Sequence, residues 1–521
     1  MSETVRSFTG SDQAPRIRGT RARHGRERNL ALGIVMVLVL YGCWATRDNA
    51  PMEQFIPANQ AFHLFANDIQ AKREAIAASD LWKILPPQLG GGTLAARIGQ
   101  DVGMPDWILR NLVPDMVYVS GTDTDKWTDA IVVSRMTRIG CVLNKCRRWV
   151  PGIDEDYAGG LRMAHVRNAG LHFAVRGRTL LAGRSRDALI RALTLRPDEA
   201  LKKKALANKA NGDEAGDIHG AVTFAGACPP GKVLKGVSFV LRIEKTHARI
   251  KCRAALVDTW KERLGQAIGT AGPVELIMPP DGAIQLSLNL GRPVGECGTS
   301  VLAALGLRDQ FDARWSRFRD AAPMLAQVSE GLIGHLGPGV RLAWQGMDLN
   351  EMAPMPKLLF SMDASPDAIL RTYANLPPFP PPVPGDMIPH YNSEKRMVHL
   401  SLIGGPSMEP AAAIAGSSLL LSNCRPLIEN LVENPPKEDK LPQQGNLYIR
   451  VQPKNTVEAV SELAILLAEN HLLKDLSPEQ VRQFFDPWLA NLAHVREIVA
   501  TMAIQSGEIS LDLAANTEAG K

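Results

Sequence analysis

Thr179-Leu180-Leu181-Ala182-Gly183-Arg184-Ser185-Arg186 and, 239 residues later, Ser418-Leu419-Leu420-Leu421-Ser422-Asn423-Cys424-Arg425 carry one local pattern twice. Each opens on a hydroxyl residue and runs through a short apolar stretch of strand length. Each then breaks at small or polar residues and enters an amphipathic helix, through Leu189 and Leu193 in the first case and Ile428 and Leu431 in the second. A strand–turn–helix unit that recurs so far apart in one chain points to an internal duplication.

Working outward, the flanking segments keep the same order. Upstream, Ile56-Pro57-Ala58-Asn59 leads into an alternating strand over 60–66, and Pro279-Pro280-Asp281-Gly282 leads into a similar strand over 283–289. Pro114-Asp115-Met116-Val117-Tyr118-Val119 matches Pro338-Gly339-Val340-Arg341-Leu342-Ala343, and further apolar strands come next at 130–136 and 357–362. Downstream, each copy has a polar loop (202–216 and 434–445), then a strand (218–224 and 447–451). Each ends in a hairpin: 236–244 with 247–257, and 496–504 with 508–514. The offset drifts at loops, where insertions are tolerated.

The expected fold class is α+β: two tandem copies of a mixed unit of antiparallel sheet with helices on one face, behind an N-terminal transmembrane helix. The expected boundaries are an Arg-rich disordered cytoplasmic tail at 1–29, an anchor at 30–45, copy one at 53–270 and copy two at 274–515. Copy one is expected to carry an insertion at 137–170. Copy two carries extra helical stretches at 456–472 and 478–493, and a stiff polyproline run at 376–385 that reads as a rigid surface loop.

Charge is distributed unevenly. Residues 1–29 hold seven arginines against Glu3, Asp12 and Glu27, a net of +4, whereas the other 492 residues carry a net of +1. The folded part therefore lacks the basic footprint of a nucleic-acid binder. Cytoplasmic retention accounts for the arginines, and anionic lipid heads are a compatible second partner. Leu30 to Ala45 is uncharged and, as a helix, rises about 24 Å, slightly less than a hydrocarbon core of about 30 Å. Three readings stay open: an uncleaved anchor, lipidation at Cys43 after Leu40-Tyr41-Gly42, or cleavage near Cys43-Trp44-Ala45. All three export the remainder of the chain, which sets the expected location at a bacterial inner membrane with the C-terminal part periplasmic.

Six cysteines lie beyond that run, and in an oxidising compartment Cys141 and Cys146 are the expected disulfide because they close a short loop. No cofactor signature appears. Gly226-Ala227-Cys228-Pro229-Pro230-Gly231-Lys232-Val233 comes close to a phosphate-binding loop, but Val233 stands where a magnesium-holding Ser or Thr is needed and the prolines remove amides. Asp123, Asp125 and Asp129, and Asp154-Glu155-Asp156, read as turn aspartates rather than a calcium loop. Gly90-Gly91-Gly92 has no dinucleotide fingerprint around it, and the eleven histidines show no zinc spacing.

Phe55-Ile56-Pro57-Ala58-Asn59-Gln60 and Ala78-Ser79-Asp80-Leu81-Trp82-Lys83-Ile84-Leu85, with a closing hairpin over 498–513, resemble an uncharacterised bacterial family of membrane-anchored ectodomains known only as a domain of unknown function. The resemblance implies single-pass topology and duplication, implies no catalytic residues, and departs at the cysteine loop and the polyproline run. The expected role is a non-enzymatic binding or scaffolding protein of the cell envelope with an envelope protein as partner. The duplicated halves are expected to face one another across a cleft. The alternatives are an envelope hydrolase with dispersed catalytic residues and a carrier of a hydrophobic ligand.

Overall fold

In this computed structural model the described residues are 51–68, 106–123, 127–201, 217–224, 230–269, 271–276, 282–348, 355–369, 389–401, 406–434 and 439–517, with Met36 and Lys72. Single positions at 150, 151, 159, 245, 305, 322, 368, 474, 475, 493 and 506 are excepted.

Alternating β-favouring residues build the strands in chain order. The first ten are β1 (Phe62–Ala66), β2 (Val117–Gly121), β3 (Ile131–Arg135), β4 (Ile153–Ala158), β5 (Leu161–Val166), β6 (Leu171–Arg176), β7 (Thr179–Gly183), β8 (Ile218–Thr223), β9 (Leu234–Ile243) and β10 (His247–Leu256). Then come β11 (Gly272–Leu276), β12 (Ile284–Asn289), β13 (Leu336–Asp348), β14 (Met355–Ala364), β15 (Pro389–Asn392) and β16 (Met397–Leu400). The last are β17 (Ala411–Ala415), β18 (Ser418–Ser422), β19 (Asp439–Gly445), β20 (Leu447–Val451), β21 (Val495–Gln505) and β22 (Glu508–Thr517).

All but β11 and β19, which pair with each other, join one 20-stranded sheet. Followed from partner to partner, its order is β4-β5-β6-β7-β3-β2-β1-β8-β9-β10-β22-β21-β20-β12-β13-β14-β18-β17-β16-β15, antiparallel throughout. The ladder between β10 and β22 runs from His247↔Asn516 to Ala255↔Glu508, and an Arg249–Asp512 ion pair crosses it. The N-terminal and C-terminal strands thus lie side by side in one sheet. The two closing hairpins, β9–β10 and β21–β22, pair edge to edge at this seam.

The helices among the described residues are α1 (Asp106–Leu112), α2 (Arg138–Lys145), α3 (Arg186–Leu193), α4 (Asp258–Ala267), α5 (Val294–Ala304), α6 (Arg308–Ala321), α7 (Pro323–Ile333), α8 (Arg425–Glu433), α9 (Pro453–Glu469) and α10 (Pro478–Leu492). Ser185 starts α3 by accepting a hydrogen bond from the Ala188 amide. Leu189 and Ala192 of α3 bury against Val133, Met163, Ala174 and Leu181 of the sheet. Ile428 and Leu431 of α8 bury against Leu359, Met397, Ala413 and Leu420.

Helices also cover the other face near both ends of the sheet, which corrects the expectation of a single covered face. Leu112 of α1 and Cys141 of α2 pack with Leu180, Phe173 and Val175. Val294 of α5 and Leu332 and Ile333 of α7 pack with Leu419, Leu421, Met362 and Ile414. The opposite side of each outer strand is apolar too, so it recruits a second layer.

Other expectations change as well. The segment 137–170 holds α2, β4 and all of β5, an integral part of the sheet rather than an appended loop. Asp154, Glu155 and Asp156 are strand residues paired to Arg167, Arg147 with Arg162, and Arg186, not turn formers. Cys141 and Cys146 are both free thiols, as are Cys252, Cys297 and Cys424, so the expected disulfide is corrected. Five residues apart along α2 and its C-cap, the two stand on different sides of the helix: Cys141 is buried and Cys146 only partly so.

The transmembrane signal-anchor is corrected in the same way. Among the described residues no helix is long and apolar enough to cross a membrane; α9, at 17 residues, carries Lys454, Glu458, Glu462 and Glu469. Leu30, Cys43 and Ala45 lie outside the described residues, as do Gly90–Gly92, Asp125, Cys228 and the polyproline run.

Candidate functional site

Residues directly opposite in an antiparallel ladder project from the same face. Applied across the middle of the sheet, that rule separates two surfaces of opposite character. One row runs Leu241, Ile250, Leu513, Ala500, Ile449, Leu286, Leu342 and Phe360, each opposite the next. A parallel row runs Phe239, Cys252, Leu511, Met502, Leu447, Leu288 and Val340. Every member is apolar, yet Leu342 is 38% exposed, Leu511 36% and, one position along, Leu358 38%.

The alternate positions mix buried apolar residues, among them Ala343 and Leu359 at 0% exposure, with polar residues that are buried as well. Gln285 is 1% exposed, Ser287 6%, Arg341 3%, Ser361 0% and Thr501 8%. Arg341 is held there by Asp363, its Nη1 donating to Oδ1 at 2.6 Å. The run Gln285-Leu286-Ser287-Leu288 therefore alternates in the reverse of the usual sense, with the leucines toward the open side. Apolar surface left in water forfeits roughly 25 cal/mol per Å². A sheet arranged against that term keeps its apolar side available for contact. The helix clusters around α1–α2 and α5–α7 bracket this open stretch at its two ends.

The titratable groups gather elsewhere. His165 and His172 stack across β5 and β6 with centroids 4.5 Å apart, and His390 and His399 stack across β15 and β16 at 5.1 Å. Burial, reinforced by His165, depresses the pKa of His172; burial, reinforced by Arg425, depresses that of His399. Neighbouring ion pairs, Arg186–Asp156 and Arg425–Glu409, are each 2.8 Å long. Among the described residues no group of three or more His, Cys, Asp or Glu is placed to hold a metal ion. Burial raises the thiol pKa of Cys141, Cys252 and Cys297, which disfavours the nucleophilic thiolate.

Of the motif residues, Asp129 caps its turn by accepting from the Thr122 hydroxyl and from the Thr122 and Asp123 amides; against the opposing pull of burial, the hydroxyl first and then the amides hold its carboxyl below the usual range. Pro230–Lys232 form a single 3-10 turn before β9, not a helix that could cradle phosphate. A separate cleft of about 590 Å³ lies between the Pro57–Gln60 segment and the C-terminal end of α3. Sequence reasoning misses the open apolar rows. Their signal, Leu alternating with Gln and Ser, is legible there, but which of the two faces the helices would cover is not.

No family model matches the chain, and no curated protein matches it. Solved structures of a protein named TP0453 align in part. Crystal form III has a TM-score of 0.25 and 8% identity, covering 42% of this chain and 87% of that one. Form IV gives 0.25 and 9%, covering 42% and 84%. Form I gives 0.24 and 9%, covering 41% and 81%. A likeness of that size carries no argument about fold or function.

Proposed function

We propose that this chain is a non-catalytic binding protein, built from two copies of one ten-stranded unit, whose open apolar sheet face docks a partner protein. Duplication is supported by the strand order read outward from the β10–β22 seam. One side runs β10, β9, β8, β1, β2, β3, β7, β6, β5, β4; the other runs β22, β21, β20, β12, β13, β14, β18, β17, β16, β15. Core residues correspond in place: Met163 with Met397, Ala174 with Ala413, Leu181 with Leu420, Leu189 with Ile428.

The observation that carries the binding role is the reversed alternation, with Leu342, Leu358 and Leu511 more than a third exposed and Gln285, Ser287 and Ser361 buried. A broad face several strands wide suits a protein surface better than an enclosed small-molecule pocket does. The test places a photo-crosslinking amino acid at 342, 358 or 511 in the full chain, with the exposed strand-end position 505 as control. One protein species captured from all three face positions and not from 505 is the expected result. Crosslinks to lipid alone, or equal capture from 505, overturn the reading.

A further inference from the structure

We infer that α6 is a peripheral membrane-docking helix whose aromatic face rests on an anionic lipid surface, an inference independent of the apolar sheet face. None of its residues is buried. At about 100° per residue, Phe311, Trp315 and Phe318 fall on one stripe, and Leu307 just ahead of the helix extends it. Leu307 is 43% exposed, Phe311 39% and Phe318 38%. The rings form a continuous ladder: Phe311 and Trp315 stack with centroids 5.8 Å apart, and Trp315 and Phe318 lie 5.3 Å apart. The Trp315 indole donates to Glu330 of α7 at 3.1 Å, which fixes the ring without covering its neighbours.

The charges select the occupant. Arg314 borders the stripe on one side, Arg308 and Arg319 on the other, while Asp309 and Asp320 lie on the far side of the helix and Arg317 lies between them and Arg314. Asp312, just beyond Arg308, is engaged by it at 3.5 Å. Aromatic side chains along one face, arginines at both margins and carboxylates opposite make the charge pattern of a helix lying in the plane of an anionic interface. Guanidiniums at the margins would meet headgroup phosphates while the rings enter the acyl boundary. A protein groove would take the aromatic ridge but leaves the paired arginine margins unexplained.

The Arg-rich residues 1–29 also attract anionic lipid, so the readout has to be local. Amide hydrogen exchange of the full chain is followed in the peptide covering 308–321, with vesicles of phosphatidylglycerol and phosphatidylcholine, and with phosphatidylcholine alone. Exchange there slows by about tenfold at saturating anionic lipid and is unchanged by the neutral vesicles. Phe311→Ser with Phe318→Ser removes the slowing, and so does Arg308→Gln with Arg314→Gln and Arg319→Gln, the rest of the chain exchanging as before. Unchanged exchange at 308–321 overturns the inference, including the case where lipid protects other segments only. Protection that survives both sets of substitutions also overturns it.

Discussion

Leu342 and Ala343 are chain neighbours on β13 with opposite fates: the first is 38% exposed on the open face, the second 0% exposed beneath α8. Leu342→Glu should therefore change unfolding free energy by no more than about 0.5 kcal/mol, as at ordinary surface sites. Ala343→Glu should lower it by several kcal/mol, because a carboxylate would be buried without a partner. Urea unfolding of the two variants measures the contrast. Glu155 supplies a pH-dependent term. Hydrogen bonds from Arg162 and then Arg147 hold its carboxyl at about 2, against an ordinary 4.5. A depressed folded-state pKa means this contribution is fully present above pH 4.5 and is lost as pH falls toward 2. Between those limits the urea midpoint of the native protein should fall more steeply than that of Glu155→Gln.

At the scale of elements, the two strand–turn–helix units at Thr179–Arg186 and Ser418–Arg425 show what sequence can and cannot reveal. Ser185 caps α3 through its hydroxyl, whereas Cys424 in the matching place makes no side-chain capping bond. Ser185→Ala should cost about 1 kcal/mol, read as a lowered thermal midpoint with the native fold retained. Both units were legible because apolar runs of strand length lead straight into helical periodicity. The strands at 60–66, 218–224 and 447–451 and both closing hairpins were legible for the same reason: each alternates and ends at a turn. By contrast β4 and β15 to β17 were not. β4 reads Ile-Asp-Glu-Asp-Tyr-Ala, an acidic stretch that becomes a strand only once Arg147, Arg162 and Arg186 arrive from other elements to neutralise it. The Cys141–Cys146 spacing misled because a helix, rather than a loop, occupies it.

Over the whole molecule, the decisive contact is also the least local: β10 pairs with β22 across about half the chain, from His247 with Asn516 to Ala255 with Glu508. No periodicity announces such a partner, so side-by-side strands could not be told from halves facing across a cleft. The seam extends the apolar rows from Leu241 on one side to Phe360 on the other, and so turns two modest sheets into one broad face. That this face stands open for contact is the central claim. Fluorescence titration with the apolar dye bis-ANS, comparing the native chain with Leu342→Glu combined with Leu511→Glu, tests it most directly, since the α6 aromatic stripe is intact in both. Much of the dye binding should vanish in the double variant while its urea midpoint stays near that of the native chain; equal dye uptake by the two proteins, or a double variant that no longer folds, would contradict the account.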